Sequence, residues 1–160
     1  MAFEELIAMK KSSDDPQEGD VFALQPQKNI FYFGKVIHTN LKSTDSFIRG
    51  MTLIFVYDCL CNEKVVPYDL EDKELLIAPM VVNNQPWIRG YFETVDNVPV
   101  SEREKKIKFG FWDVLTQKYV DIHGMKIKKK PKYCSIYGLG SYGIVGKEVQ
   151  EAIKLKNQAN

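Results

Sequence analysis

Three glycines, Gly138, Gly140 and Gly143, stand in G-x-G-x-x-G spacing within "YGLGSYGIVGKEVQEAI" (137–153), directly ahead of a stretch with helical periodicity. Glycines let backbone N–H groups approach a pyrophosphate, and a helix N-terminus offers it partial positive charge. That chemistry requires the glycines to join a parallel strand to a crossover helix, with an acidic residue about 20 positions later for the ribose. Here 17 residues follow Gly143 and no acid follows Glu151. No second strand fits after the helix, and no ribose partner remains. The segment reads instead as a connector whose glycines allow strand and helix to pack closely, and no nucleotide or other cofactor is expected.

The remaining reactive residues are sparse. His38 and His123 fall in different predicted strands, and Cys59, Cys61 and Cys134 are odd in number. "CLC" at 59–61 points both thiols to one face of a strand and lacks C-x-x-C spacing, so a zinc site is not expected and all three cysteines read as free thiols. No third group orients a Cys–His pair, so the chain reads as a protein without catalysis. Two charged segments remain. "KIKKKPK" (126–132) places Lys126, Lys128, Lys129, Lys130 and Lys132 beside Tyr133, the mixture used to bind single-stranded nucleic acid through phosphates and stacking. The near-neutral charge of the whole chain, with no further basic cluster beyond this region, favours the plainer reading of a solvated loop that keeps an edge strand from pairing with other chains. "YDLEDKE" (68–74) combines Tyr68 with Asp69, Glu71, Asp72 and Glu74 in a connection expected at the surface.

These residues must be carried by a fold, and 160 residues make about one domain. The composition, 44% hydrophobic and 27% charged, is that of a folded globular chain. Residues 1–100 hold 9 basic and 15 acidic side chains and residues 101–160 hold 13 and 6, so a net charge of +1 conceals a polar asymmetry. The longest apolar runs, such as "LLIAPMVV" (75–82), are far short of a membrane span, and the N-terminus has no basic leader. A cytoplasmic location follows as the expectation, with no membrane partner and no small-molecule substrate.

"FEELIAMKK" places Phe3, Leu6 and Ile7 at helical spacing, and residues 1–18 read as an N-terminal helix and linker before a single β-rich domain over 19–160. "DVFALQP" and "NIFYFGKVIH" read as a hairpin, with Gly34 marking a bulge or a close backbone approach. "MTLIFVYDCLC" (51–61) reads as a central strand covered on both faces, and Pro79 restricts "LLIAPMVV" to an edge or a bulge. "QPWIRGYFETV", "KIKFGFWDV", "KYVDIHG" and "PKYCSIYG" complete about eight strands, and "GKEVQEAIKLKNQ" is a closing helix. Mainly β (α+β) architecture follows: a strongly curved antiparallel sheet or small barrel with short N-terminal and C-terminal helices. Asp20, Phe22, Phe33, Val36, Phe55 and Trp87 are expected in one core, with Asp20 bonding backbone N–H groups at the start of its strand.

In this order "GDVFAL" (19–24), "FYFGKVI" (31–37), "LIFVYD" (53–58), "PWIRGYF" (86–92) and "CSIYGLGSYGIVGKEVQEAI" (134–153) resemble immunity protein 26 of bacterial polymorphic-toxin systems. That family tends to show a G-D-V-F-A strand, a G-[RK]-V strand, an apolar strand running into a bend, a W-x-x-x-G segment and a glycine-leucine element before the last helix. Here W-I-R-G is one residue tighter, and the lysine-rich insertion and the N-terminal segment depart from the pattern. The resemblance runs from Gly19 to Ile153. It implies a non-catalytic cytoplasmic protein that neutralises a cognate protein toxin, often a nuclease. A nuclease must attract phosphate and so tends to be basic around its active site, which would make the carboxylates of Asp69, Glu71, Asp72 and Glu74, with Tyr68, the expected partner-binding surface. RNA or single-stranded DNA binding through the lysine-rich loop is the alternative.

Overall fold

The computed structural model describes residues 6–159. The order along the chain begins with β1 (Asp20–Gln27), β2 (Ile30–His38) and β3 (Thr52–Tyr57), then a 3₁₀ turn (Leu70–Asp72) and β4 (Leu75–Val82). It continues through α1 (Gln85–Ile88), β5 (Glu93–Asn97), α2 (Glu102–Lys105), β6 (Phe109–Asp113) and β7 (Lys118–Val120) to β8 (Tyr133–Ile136), β9 (Leu139–Gly140) and α3 (Tyr142–Ala159). Six strands form one sheet in the order β5-β1-β2-β3-β4-β9, and three form another, β7-β6-β8.

β3 shows why this arrangement is layered. Each of its six residues is buried, so the strand needs cover on both faces. Alternation sends Leu53, Phe55 and Tyr57 to one core with Phe33, Phe111 and Val120, beneath the smaller sheet. Ile54 and Val56 go to a second core with Phe22, Val36, Trp87, Val145 and Val149, beneath α1 and α3. Five of the six residues expected in one core are thus divided between two, and Asp20, only partly buried, belongs to neither. Its carboxylate does accept from the Gln17 N–H at 2.8 Å, as a residue at the start of a strand should.

Other expectations are corrected in the same way. Among the described residues no closed barrel forms, because the sheet ends in β5 and β9 and a second sheet and a helix cover its faces. The pairing is not wholly antiparallel, since β4–β9 and β6–β8 run parallel. "QPWI" is a short helix rather than strand: Pro86 suits a first helical turn, and the Arg89 N–H closes it on the Gln85 carbonyl at 2.9 Å. Trp87 is nonetheless buried, its Nε1 donating to Thr94 Oγ1 at 3.1 Å and its ring meeting Phe22 and Phe92 edge-on.

The N-terminal helix is not observed over residues 6–11, and its beginning, including Phe3, lies outside the described residues. The segment is an extended strap. Its Ile7 and Met9 N–H groups donate to the Gln25 and Gly90 carbonyls, both at 2.7 Å, rather than to a helix of its own, and Leu6 is buried in the second core. Gly90 has φ +81° and a Cβ there would lie 2.9 Å from the Met9 carbonyl oxygen, so this position requires glycine. Gly34 serves a close approach: a Cβ would overlap the Phe22 ring and lie 2.7 Å from the Phe55 carbonyl oxygen. Around Pro79 the register with β3 slips between Ile54↔Met80 and Val56↔Ile77, the bulge expected of proline in a paired strand.

Candidate partner-binding surface

The acidic segment is built from beneath. β2 carries Lys35 on the face that packs toward the smaller sheet, at the same parity as Phe33 and Ile37. Lys35 is 2% exposed, so its ammonium needs a counter-charge. α2 supplies it. Ser101 caps this single turn, accepting from the Glu104 N–H at 3.1 Å while Glu104 accepts from the Ser101 N–H at 2.9 Å. The capping box aims Glu104 inward, where Oε1 lies 2.8 Å from Lys35 Nζ and Oε2 accepts from the Tyr57 hydroxyl. Lys35 also donates to the Pro99 carbonyl at 3.1 Å. Burial pushes the Glu104 carboxyl up, but the hydrogen bonds from Lys35, the Ser101 N–H and Tyr57 outweigh it and hold the pKa below the ordinary value. Burial and the Glu104 hydrogen bond push the Tyr57 hydroxyl far up, so it remains a donor.

The preceding residue of α2 faces the opposite way. Arg103 Nε donates to the Glu71 carbonyl at 3.1 Å and Nη2 to the Asp72 carbonyl at 3.4 Å, two acceptors at the end of the 3₁₀ turn. Leu70, buried in the first core, fixes the turn's inner side. A four-residue helix thus clamps the acidic turn to a buried ion pair. Between them lies a small cavity of about 120 Å³, with Lys35 and Glu104 in its wall and Tyr68, Glu71 and Asp96 also lining it.

The five acidic-segment residues fare differently. Tyr68 is fully exposed. Asp69 pairs with Lys73 at 3.4 Å, and Asp72 lies 3.9 Å from Arg103. Among the described residues Glu71 makes no ion pair. Glu74 turns toward the lysine-rich loop, accepting from Tyr133 at 2.7 Å and pairing with Lys132 at 3.2 Å, which lowers its pKa. The two candidate surfaces therefore meet at Glu74.

In the lysine-rich loop Lys126, Lys128, Lys129 and Lys130 are exposed. Lys108 and Lys128–Lys132 border an open groove of about 690 Å³ with Ile107, Phe109, Ile122 and Ile127. The Tyr133 hydroxyl and Lys132 are engaged with Glu74, which removes them from the free basic-aromatic set.

The glycine-rich segment lines a separate cleft of about 610 Å³. Its walls are mainly apolar, with Ile77, Met80, Trp112, Ile136 and Ile144, and Lys130 is the cation on them. A Cβ at Gly140 would meet the movable end of the Met80 side chain at 2.7 Å and the Val81 carbonyl oxygen at 3.3 Å, one at Gly143 would meet Ser141 Oγ at 3.6 Å, and one at Gly138 would meet nothing within 4 Å, so the close packing of strand on helix expected of these glycines is not what the three positions provide. His38 and His123 do not meet: His123 Nδ1 lies 2.7 Å from the Lys42 carbonyl oxygen, and no group of three His, Cys, Asp or Glu that could hold a metal occurs among the described residues. No helix of the structure is long and apolar enough to cross a membrane.

Sequence reasoning missed Lys35, Tyr57, Arg103 and Glu104. Two signals pointed to them: a single lysine inside the apolar run "FYFGKVI", and the S-x-x-E spacing of Ser101 and Glu104.

No curated protein and no solved structure gives a match to this chain. A family model does, and it spans β1 to β7 with the acidic turn, Lys35, Tyr57 and α2 all inside it, while the lysine-rich loop, β8, β9 and α3 lie beyond its end. That model is immunity protein 26, it covers residues 17–121, and the chain belongs to this family.

Proposed function

We propose that this protein acts by binding alone, neutralising a protein toxin in the cytoplasm through the surface around the 3₁₀ turn. Tyr68 and Glu71 lead this surface; Asp69, Asp72 and Glu74 contribute a field already softened by Lys73, Arg103 and Lys132. The observation that carries the reading is the clamp itself: α2 joins the acidic turn to a buried Lys35–Glu104 pair, so the turn is ordered before any partner arrives. Preorganisation lowers the entropic cost of association, and an exposed tyrosine beside an uncompensated carboxylate is a suitable anchor for a basic partner surface such as that of a nuclease. The family membership supports binding to a toxin in general. No cofactor, metal or small-molecule substrate enters this reading.

The test is co-purification with the product of the adjacent reading frame, followed by association kinetics at low salt. Tyr68→Ala combined with Glu71→Lys should slow association and weaken the complex while leaving the melting temperature unchanged. Unaltered kinetics and full protection of cells by that variant would move the interface elsewhere.

The exposed Lys126 and Lys128–Lys130 favour a second reading, in which the loop binds RNA or single-stranded DNA. Such binding is phosphate-dominated, so retention on heparin must fall steeply with salt and be lost on Lys128→Ala/Lys129→Ala/Lys130→Ala.

A further inference from the structure

Cys59 and Cys61 follow β3 at the point where the chain leaves the sheet. A tight turn, with the Cys59 N–H on the Tyr57 carbonyl at 3.0 Å, bends the backbone, and Cys61 is held in place by reciprocal hydrogen bonds with Phe31 at 2.7 and 2.8 Å. Both side chains face the margin of the first core, half-buried, while Leu60 between them is exposed. The two sulfurs lie 3.8 Å apart. A disulfide needs about 2.05 Å, so side-chain rotation with a small adjustment of the bend brings them to bonding distance. Cys134 stands apart on β8, its Sγ directed at the Ser135 carbonyl at 3.9 Å, and borders the apolar cleft instead.

We infer that Cys59 and Cys61 are a dithiol site that closes to an intramolecular disulfide by exchange with a low-molecular-weight disulfide such as glutathione disulfide. The Cys59 thiolate attacks one sulfur of glutathione disulfide, forming a protein–glutathione S–S bond and releasing one glutathione thiolate. The Cys61 thiolate then attacks the Cys59 sulfur, forming the protein disulfide and releasing the second glutathione thiolate. The two protein thiols lose two protons and two electrons, and the oxidant is reduced to two thiols.

Geometry assigns the order: Cys61 Sγ is directed back at Cys59, 3.8 Å from its sulfur and 3.9 Å from its carbonyl oxygen, which places Cys61 for the second, intramolecular step. Burial and the hydrogen bond with Cys59 also push the Cys61 thiol up. Close placement compensates there for a small thiolate fraction. The ring formed spans one residue and ties down the start of the connection that leads to Tyr68. The exchange itself needs no partner protein and does not rest on the proposed toxin binding.

The experiment equilibrates the reduced full-length protein with glutathione buffers of rising oxidant fraction, quenches in acid, unfolds, alkylates with iodoacetamide and weighs the intact chain. Closure of the pair leaves one alkylated cysteine, Cys134, and a chain lighter by two hydrogens before alkylation, with dithiothreitol restoring all three sites. Cys61→Ser should instead accumulate a glutathione adduct on Cys59. Three alkylated cysteines at every buffer, a stable glutathione adduct in the wild-type chain, or a disulfide that includes Cys134 would each overturn the assignment; the wild-type measurement stands even if a serine variant fails to fold.

Discussion

The acidic turn at 68–74 and the lysine-rich loop at 126–132 are equally conspicuous as charge runs, yet they are attached to the molecule in different ways. The turn is fastened through Arg103 to α2 and through Glu104 to Lys35 inside the sheet. The loop carries exposed lysines over an open groove, and its main ionic tether is Lys132 to Glu74. The turn also lies within the span shared with the immunity protein 26 family, and the loop beyond it. Charge density alone is a poor guide to a binding surface; what distinguishes the two is the burial of the groups that hold each in place.

The largest expected effect breaks the turn at its root. Glu104→Ala leaves the Lys35 ammonium buried and unpaired, and should cost about 3–5 kcal/mol in urea unfolding. The double variant Lys35→Met/Glu104→Leu removes both charges and should recover most of that loss; failure to recover would show that the pair is not an isolated charge problem.

Acid sharpens the same point. The folded pKa of Glu104 lies below its ordinary value, so its anchoring contributes stability that is present above the ordinary carboxylate range and is lost as pH falls through the folded value. The stability gap between the wild type and Glu104→Gln, measured from neutral pH downward, should therefore narrow below about pH 4. A gap that widens in acid would contradict the assignment of Glu104 as the ionised partner.

Arg103→Ala tests the outward half of the clamp. Its side chain is more than half exposed, so the loss should be about 1 kcal/mol, accompanied by faster proteolysis within 62–74. Unchanged proteolysis would mean that Leu70 alone orders the turn. The smallest effect belongs to the loop: Lys128→Ala/Lys129→Ala/Lys130→Ala should change folding stability by no more than about 0.5 kcal/mol. A larger change would erase the contrast between the two regions.

Much of the framework was legible in local pattern. The β1–β2 hairpin, the fully buried β3, the bulge at Pro79 and α3 all follow from period and proline, because burial on a strand or helix imposes a repeat of 2 or 3.6 residues. The four-residue α1 is too short to show a period, and the N-terminal strap imitates one through Leu6 and Ile7 while its N–H groups bond to distant carbonyls. The candidate surface divides along the same line. Tyr68, Asp69, Glu71 and Asp72 could be named from composition. That Glu74 belongs with Lys132 and Tyr133, and that Lys35 and Glu104 lie together, depended on pairings across 58 to 69 residues of sequence.

By itself the sequence determined a β-rich chain with a doubly covered central strand, free thiols and two surface segments of opposite charge. Only the tertiary structure decided whether the sheet closed, which face each aromatic entered and which charges were already neutralised. The physical reason is that periodicity is a property of neighbours along the chain, whereas the desolvation of Lys35 is compensated by a carboxylate that reaches it only once the sheet and α2 have come together.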